Sequence, residues 1–243
     1  MTIPKIKGTM NIILHGIEYI IGNKQRLSGI AILMIILCHT GLNVFYPWFM
    51  GVDIFMFLSG YFLCVSYNKN SLSTFYRNRY KRIVAIWLLL SLTMTSVEYF
   101  MMGTPVGWWE VFCNLTTLSY YGLGIGFVDW YLSSLFMFYL LFPIFYKLMK
   151  CKWNLWILLL LLLSVFILFA VIDLHWRYEC AIGRIPVFCM GMLLYNEGIS
   201  VGKKTKAVVI TSFLLAVPAI FLYIHKLVAT YYLFYLIAPC VFV

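Results

Sequence analysis

Charge is what this chain has least of. Asp, Glu, Lys and Arg make up 11% of its 243 residues, against roughly 25% in a soluble globular domain, which excludes a water-soluble fold. The 7 cysteines include no C-x-x-C pair, and no His/Cys spacing suits zinc, so neither a metal nor a disulfide is expected. Cys38, Cys64, Cys189 and Cys240 lie in apolar runs, where a thiol serves as a small hydrophobe. The chain lacks a G-x-S-x-G nucleophile turn, a Walker loop and a Rossmann fingerprint, and Ser59 has no histidine near it in sequence. The N-terminal MTIPKIKGTMNIILHGIEYIIG has a short apolar part broken by His15 and Glu18 and no small-residue cleavage site. Residues 1–25 are expected to be an interfacial amphipathic segment and not a signal peptide.

Apolar residues fill the space that charge vacates. They account for 64% of the chain, with a mean hydropathy of +0.94. Runs such as WILLLLLLSVFILFAVID, Trp156 to Asp173, are continuous and lack the alternation of barrel strands. A bilayer core takes about 20 apolar residues per helix. The fold class expected is therefore all-α: a polytopic transmembrane helix bundle forming one membrane domain over 1–243. Its eight spans read 28–45, 48–66, 84–102, 129–147, 154–173, 181–196, 207–224 and 227–243.

A formal charge of +10 would suggest nucleic acid in a soluble protein. Here the cations fall between apolar runs and set topology, so no nucleic-acid partner is expected. Lys24 and Arg26 precede the first span, Lys69 to Arg82 follow the second, Lys147, Lys150 and Lys152 follow the fourth, and Lys203, Lys204 and Lys206 follow the sixth. The loop Gly103 to Val128 has Glu110 and neither Lys nor Arg. This asymmetry places the N-terminus in the cytoplasm, although Arg177 and Lys226 then lie outside. The segment STFYRNRYKRI, Ser73 to Ile83, either touches anionic headgroups of membrane lipids or offers Arg77, Arg79 and Arg82 to the phosphates of a cytoplasmic donor. Trp108, Trp109, Tyr120 and Tyr121 in the outer loop form an interfacial belt or hold a sugar. Pro143 is expected to kink the fourth span.

Ionisable groups inside spans are functional candidates by default. A turn centred near Tyr46 and Pro47 would put His39 and Asp53 about seven residues from it on either side, at one depth, roughly 10 Å. Glu98, Asp129 and Arg184 join them in a polar layer. Each has a plain structural role open to it: Glu98 and Asp129 wet at the interface, Arg184 paired with a carboxylate, His39 hydrogen-bonded within its helix. A carboxylate beside a histidine can also orient it as a general base. The chemistry that suits a lone membrane histidine is acyl transfer from an activated donor to a hydroxyl, with a fixed cation steadying the oxyanion.

The order of blocks then resembles a known family. A small span ends in His39; GVDIFMFLSGYFL (Gly51 to Leu63), FYRNRYKRI (Phe75 to Ile83), WYLSSLFMFYLLFPIF (Trp130 to Phe145) and RIPVFCMGMLL (Arg184 to Leu194) follow. This arrangement resembles the acyltransferase 3 family of integral membrane acyltransferases, which includes O-acetyltransferases of bacterial surface glycans. The resemblance implies an acyl group, commonly acetyl, passed from acyl-CoA to a carbohydrate hydroxyl, and a role for His39. The expected acceptor partner is a carbohydrate or lipid-linked glycan, and the expected location is the bacterial inner membrane, crossed several times. Two departures stand out. The family's arginine eleven positions before the histidine is Ser28 here, with Arg26 two residues earlier, and Leu135 and Phe136 stand where many members carry a glutamate after the tryptophan. Members also carry further spans, so a C-terminally truncated chain is expected.

These readings assign catalytic roles to His39, Asp53 and Arg184, and donor binding to Arg26, Arg77, Arg79 and Arg82. Two rivals stay open: a carrier or flippase for a lipid-linked sugar or anion, and an inactive truncated relative.

Overall fold

The computed structural model describes residues 22–40, 42, 49–101, 103, 106–123, 130–172 and 176–197. Within them the structure is all helix, with no strand. The helices are α1 (Lys24–Cys38), α2 (Gly51–Lys69), α3 (Leu72–Met101), α4 (Trp108–Leu115), α5 (Trp130–Lys150), α6 (Asn154–Val171), α7 (Trp176–Ile182) and α8 (Ile185–Glu197), with a 3-10 turn at Leu118–Tyr121. Of these, α3 and α5 are long and apolar enough to cross a membrane. The expected spans 207–224 and 227–243, most of the N-terminal segment 1–25, the turn around Tyr46 and Pro47, and Asp129 lie outside the described residues.

Local chemistry explains the helix ends. At the end of α1 the next two side chains add second hydrogen bonds to carbonyls that already accept a backbone N–H: His39 Nδ1 lies 2.8 Å from the Ile35 oxygen, and Thr40 Oγ1 donates to Leu37 at 2.7 Å. α8 starts after a turn at Gly183 and Arg184, and Pro186 falls in its first helical turn, where its missing N–H costs nothing. The expected sixth span is thus divided at Arg184. Pro143 lies inside α5, which continues through it.

The chain forms two compact units. The first comprises 1–65, 143–174 and 182–243. Its centre is a helix contact made by absent side chains: a Cβ on Gly60 would lie 2.1 Å from the Phe188 oxygen, and one on Gly191 would lie 2.1 Å from the Phe57 oxygen. The α2 and α8 backbones therefore touch, as small residues allow between apolar helices. The contacts Asp53 to Arg184, Gly60 to Phe188 and Tyr61 to Tyr195 advance in one direction along both helices, which run parallel. α1 packs antiparallel on α2, with Gly51 against the Ala31 carbonyl and the Lys24 ammonium 4.1 Å from the centre of the Phe62 ring.

The second unit comprises 66–142 and 175–181. Phe75 and Phe142 stack at 5.1 Å between α3 and α5. The expected outer loop folds back along α3: Trp87 Nε1 donates to the Leu115 carbonyl at 2.9 Å, and Asn114 Nδ2 donates to Thr95 Oγ1 at 3.1 Å. Since α3 runs on to Met101, α4 returns about 21 Å along it.

Candidate functional site

In the first unit the structure brings Asp53 and Arg184 together. Arg184 Nε lies 3.2 Å from Asp53 Oδ1, with the two side chains 1% and 0% exposed. Asp53 occupies the first turn of α2, where the helix dipole favours a carboxylate. Arg184 stands at the start of α8, where the dipole disfavours a cation, so the carboxylate offsets that cost as well as the cost of burial. The guanidinium also lies 5.9 Å from the Phe49 ring centre.

His39 is placed differently. Gly51 docks against the α1 turn between Ala31 and Ile35, so α2 begins below the C-terminal end of α1. Asp53 lies opposite that turn, and His39 stands roughly 10 Å further along α1. The expectation of equal depth is corrected, because the glycine lets the α2 backbone enter lower than a tight hairpin would. His39 is exposed and Asp53 is buried; among the described residues the Asp53 oxygens make no hydrogen bond, and their charge partner is Arg184.

The orienting group of His39 is its own helix. A carbonyl oxygen can only accept, so Nδ1 carries the proton toward Ile35. In the neutral ring the lone pair is then on Nε2, which is the form a general base requires. The sequence signal for this contact was a histidine just past the end of an apolar helix with a carbonyl four residues back.

The arginine question also gains a physical answer. α1 is a continuous helix from Lys24, so Ser28 lies within about 20° of His39 around the axis, whereas Arg26 lies about 140° away. Lys24, one turn before Ser28, lies about 60° from His39 and rests its ammonium on Phe62. The sequence marks Lys24 only as a topology cation; the signal for a place on the His39 face was its four-residue spacing from Ser28.

The other predicted residues are in the second unit. The basic cluster of α3 divides between two helix faces. Arg79 and Arg82 both act electrostatically on the Tyr139 phenol of α5, and Arg79 lies 5.7 Å from the Phe75 ring centre. Arg77 points about 140–160° away from these two. Glu98 has one carboxylate oxygen buried that makes no hydrogen bond among the described residues. Glu179 of α7, not foreseen, is 1% exposed, and its only signal was an acid between Arg177 and Arg184 in an apolar run. No group of three or more His, Cys, Asp or Glu able to hold a metal occurs among the described residues.

A family model described as an acyltransferase domain, that of the acyltransferase 3 family, matches residues 27–243. The chain belongs to the acyltransferase 3 family. No curated protein and no solved structure matches it. The match covers both units, from the third residue after Lys24 through α8 and beyond, so the His39 helix and the Arg184 turn belong to one acyltransferase domain. Membership gives a membrane-associated acyltransferase, consistent with the apolar helices α3 and α5.

Proposed function

We propose that this acyltransferase 3 member is a multi-pass O-acyltransferase of the bacterial inner membrane, with eight spans and a cytoplasmic N-terminus. It moves an acyl group, acetyl in the simplest case, from acyl-CoA to a hydroxyl of a surface polysaccharide or other carbohydrate. The observation that carries the base assignment is the Nδ1 contact of His39 with Ile35, which leaves Nε2 as the proton acceptor on an exposed ring. Nε2 takes the acceptor's hydroxyl proton as that oxygen forms a bond to the thioester carbonyl carbon. The C–S bond then breaks, and the CoA thiolate leaves with the proton from the imidazolium.

The paired face of Arg79 and Arg82 suits the donor's phosphates, because a guanidinium fork binds phosphate oxygens in pairs. The parallel run of α2 and α8 fits their places as second and sixth spans, since spans an even number of positions apart in the order cross in one direction. Expression of the chain and of His39→Ala in a host with an acylatable surface glycan tests the proposal. Mass spectrometry of the glycan should show acylation with the first and a loss on the order of 100-fold or more with the second. Equal acylation would remove His39 from the mechanism. Acylation by neither chain would favour a carrier or an inactive truncated relative.

A further inference from the structure

In the second unit, a cavity of about 470 Å³ lies between α3, the 3-10 turn and α5, within the size range of ligand sites, roughly 300–1,000 Å³. Val84 and Leu88 line it from α3, Thr117 and Tyr121 from the turn, and Met137 and Leu140 from α5. Its walls are mostly apolar, and its rim faces outward: Leu140 is 64% exposed, Tyr121 44% and Leu88 39%. Both flanking helices are long and apolar enough to cross a membrane, so a rim between them suits a hydrocarbon surround. Thr117 holds φ at +65°, a conformation a β-branched residue adopts only where its surroundings dictate it, which fixes the wall of the cavity.

The same face of α3 carries cations. Arg77, Lys81, Val84 and Leu88 fall within a sector of about 60° around the axis, and Arg77 and Lys81 are both exposed. Helical side chains lean toward the N-terminus, so both cations reach away from the cavity, toward Leu72. From Arg77 to Leu88 the helix rises about 17 Å, close to one leaflet of a hydrocarbon core about 30 Å thick.

We infer that this face binds one anionic phospholipid, with an acyl chain in the cavity and the phosphate on Arg77 and Lys81. An apolar slot with two cations beyond one end of it on the same helix face, the whole about one leaflet long, matches that chemistry in shape and charge. Donor binding then rests on Arg79 and Arg82, on the other face. The site stands whether or not the acceptor is a glycan, because it uses none of His39, Asp53 or Arg184.

The test is native mass spectrometry of the full chain in a mild detergent with equimolar palmitoyl-oleoyl phosphatidylglycerol and phosphatidylethanolamine. One lipid should be retained, with phosphatidylglycerol preferred on the order of tenfold. Arg77→Gln/Lys81→Gln should bring the preference close to one. The charge-matched pair Lys147→Gln/Lys152→Gln, both exposed in the first unit, should keep it. Met137→Trp, which fills the slot, should reduce retention of both lipids. Equal retention of the two lipids by the wild type, or a preference lost equally in the control pair, would overturn the headgroup site. Undiminished retention by Met137→Trp would overturn the tail site. Displacement of the lipid by coenzyme A at matching concentration would assign the cations to a soluble phosphate and overturn the proposal.

Discussion

Buried charge makes the sharpest claims at the residue scale. Asp53 and Arg184 are sealed from solvent, so deleting either one breaks a buried ion pair and strips the other charge of that partner. Asp53→Ala should therefore cost about 3–5 kcal/mol, read as a lowered thermal midpoint in detergent. The double variant Asp53→Leu/Arg184→Met should recover most of that loss, because a well-packed apolar pair escapes the desolvation cost. Glycan acylation by the double variant then separates the two roles open to Arg184. If activity returns with stability, the arginine is a structural partner only; if stability returns and activity does not, it stabilises the oxyanion. His39 is the reverse case, exposed and held by its own helix, so His39→Ala should leave the thermal midpoint nearly unchanged while removing two to four orders of magnitude in rate. The candidates themselves were legible in the sequence because each ionisable group stands out against an apolar run. Their pairing was not, since a carboxylate can meet a histidine or an arginine equally well until helix register is known. Gly51 sets that register, and its sequence signature is only a glycine before Val52 and Asp53.

Among the elements, α2 and α8 depend on two missing methyl groups. A Cβ at Gly60 or Gly191 would meet a backbone oxygen at 2.1 Å, and backbone cannot rotate out of the way as a side-chain tip can. Gly60→Ala and Gly191→Ala should each destabilise by about 1–3 kcal/mol. The double variant should cost less than the sum, because once the helices have separated for one methyl the second enters space already opened. Gly29→Ala is the control: nothing lies within 4 Å of the new methyl, it is exposed in α1, and the change should stabilise the helix by about 0.5–1 kcal/mol. Urea or thermal unfolding of all four variants in one detergent checks the set, and a cost from Gly29→Ala as large as at Gly60 and Gly191 would show that the close backbone contact is not what makes those two positions sensitive. Apolar runs gave the helices readily, to within a few residues at most ends, because length and hydropathy are local properties. The return of α4 along α3 was hidden, since it rests on a Trp87 to Leu115 hydrogen bond between distant residues.

The distribution of cations governs the molecule as a whole. Lys147 and Lys150 close α5, Lys152 opens the turn that follows, and Cys151 stands exposed among them. If basic connections face the cytoplasm, this thiol faces it too. It offers a natural reporter, because Cys64, Cys113 and Cys189 are buried in the same structure. A chain with its other cysteines replaced by serine or alanine should not react at Cys151 with a membrane-impermeant maleimide in intact spheroplasts, and should react fully after the membrane is opened. Labelling before permeabilisation would invert every connection at once: Arg79 and Arg82 would face away from the cytoplasmic pool of acyl-CoA, and donor binding at that pair would fail with the topology. The same inversion would leave the His39 ring and its Ile35 contact untouched, so base chemistry and orientation are tested by separate measurements.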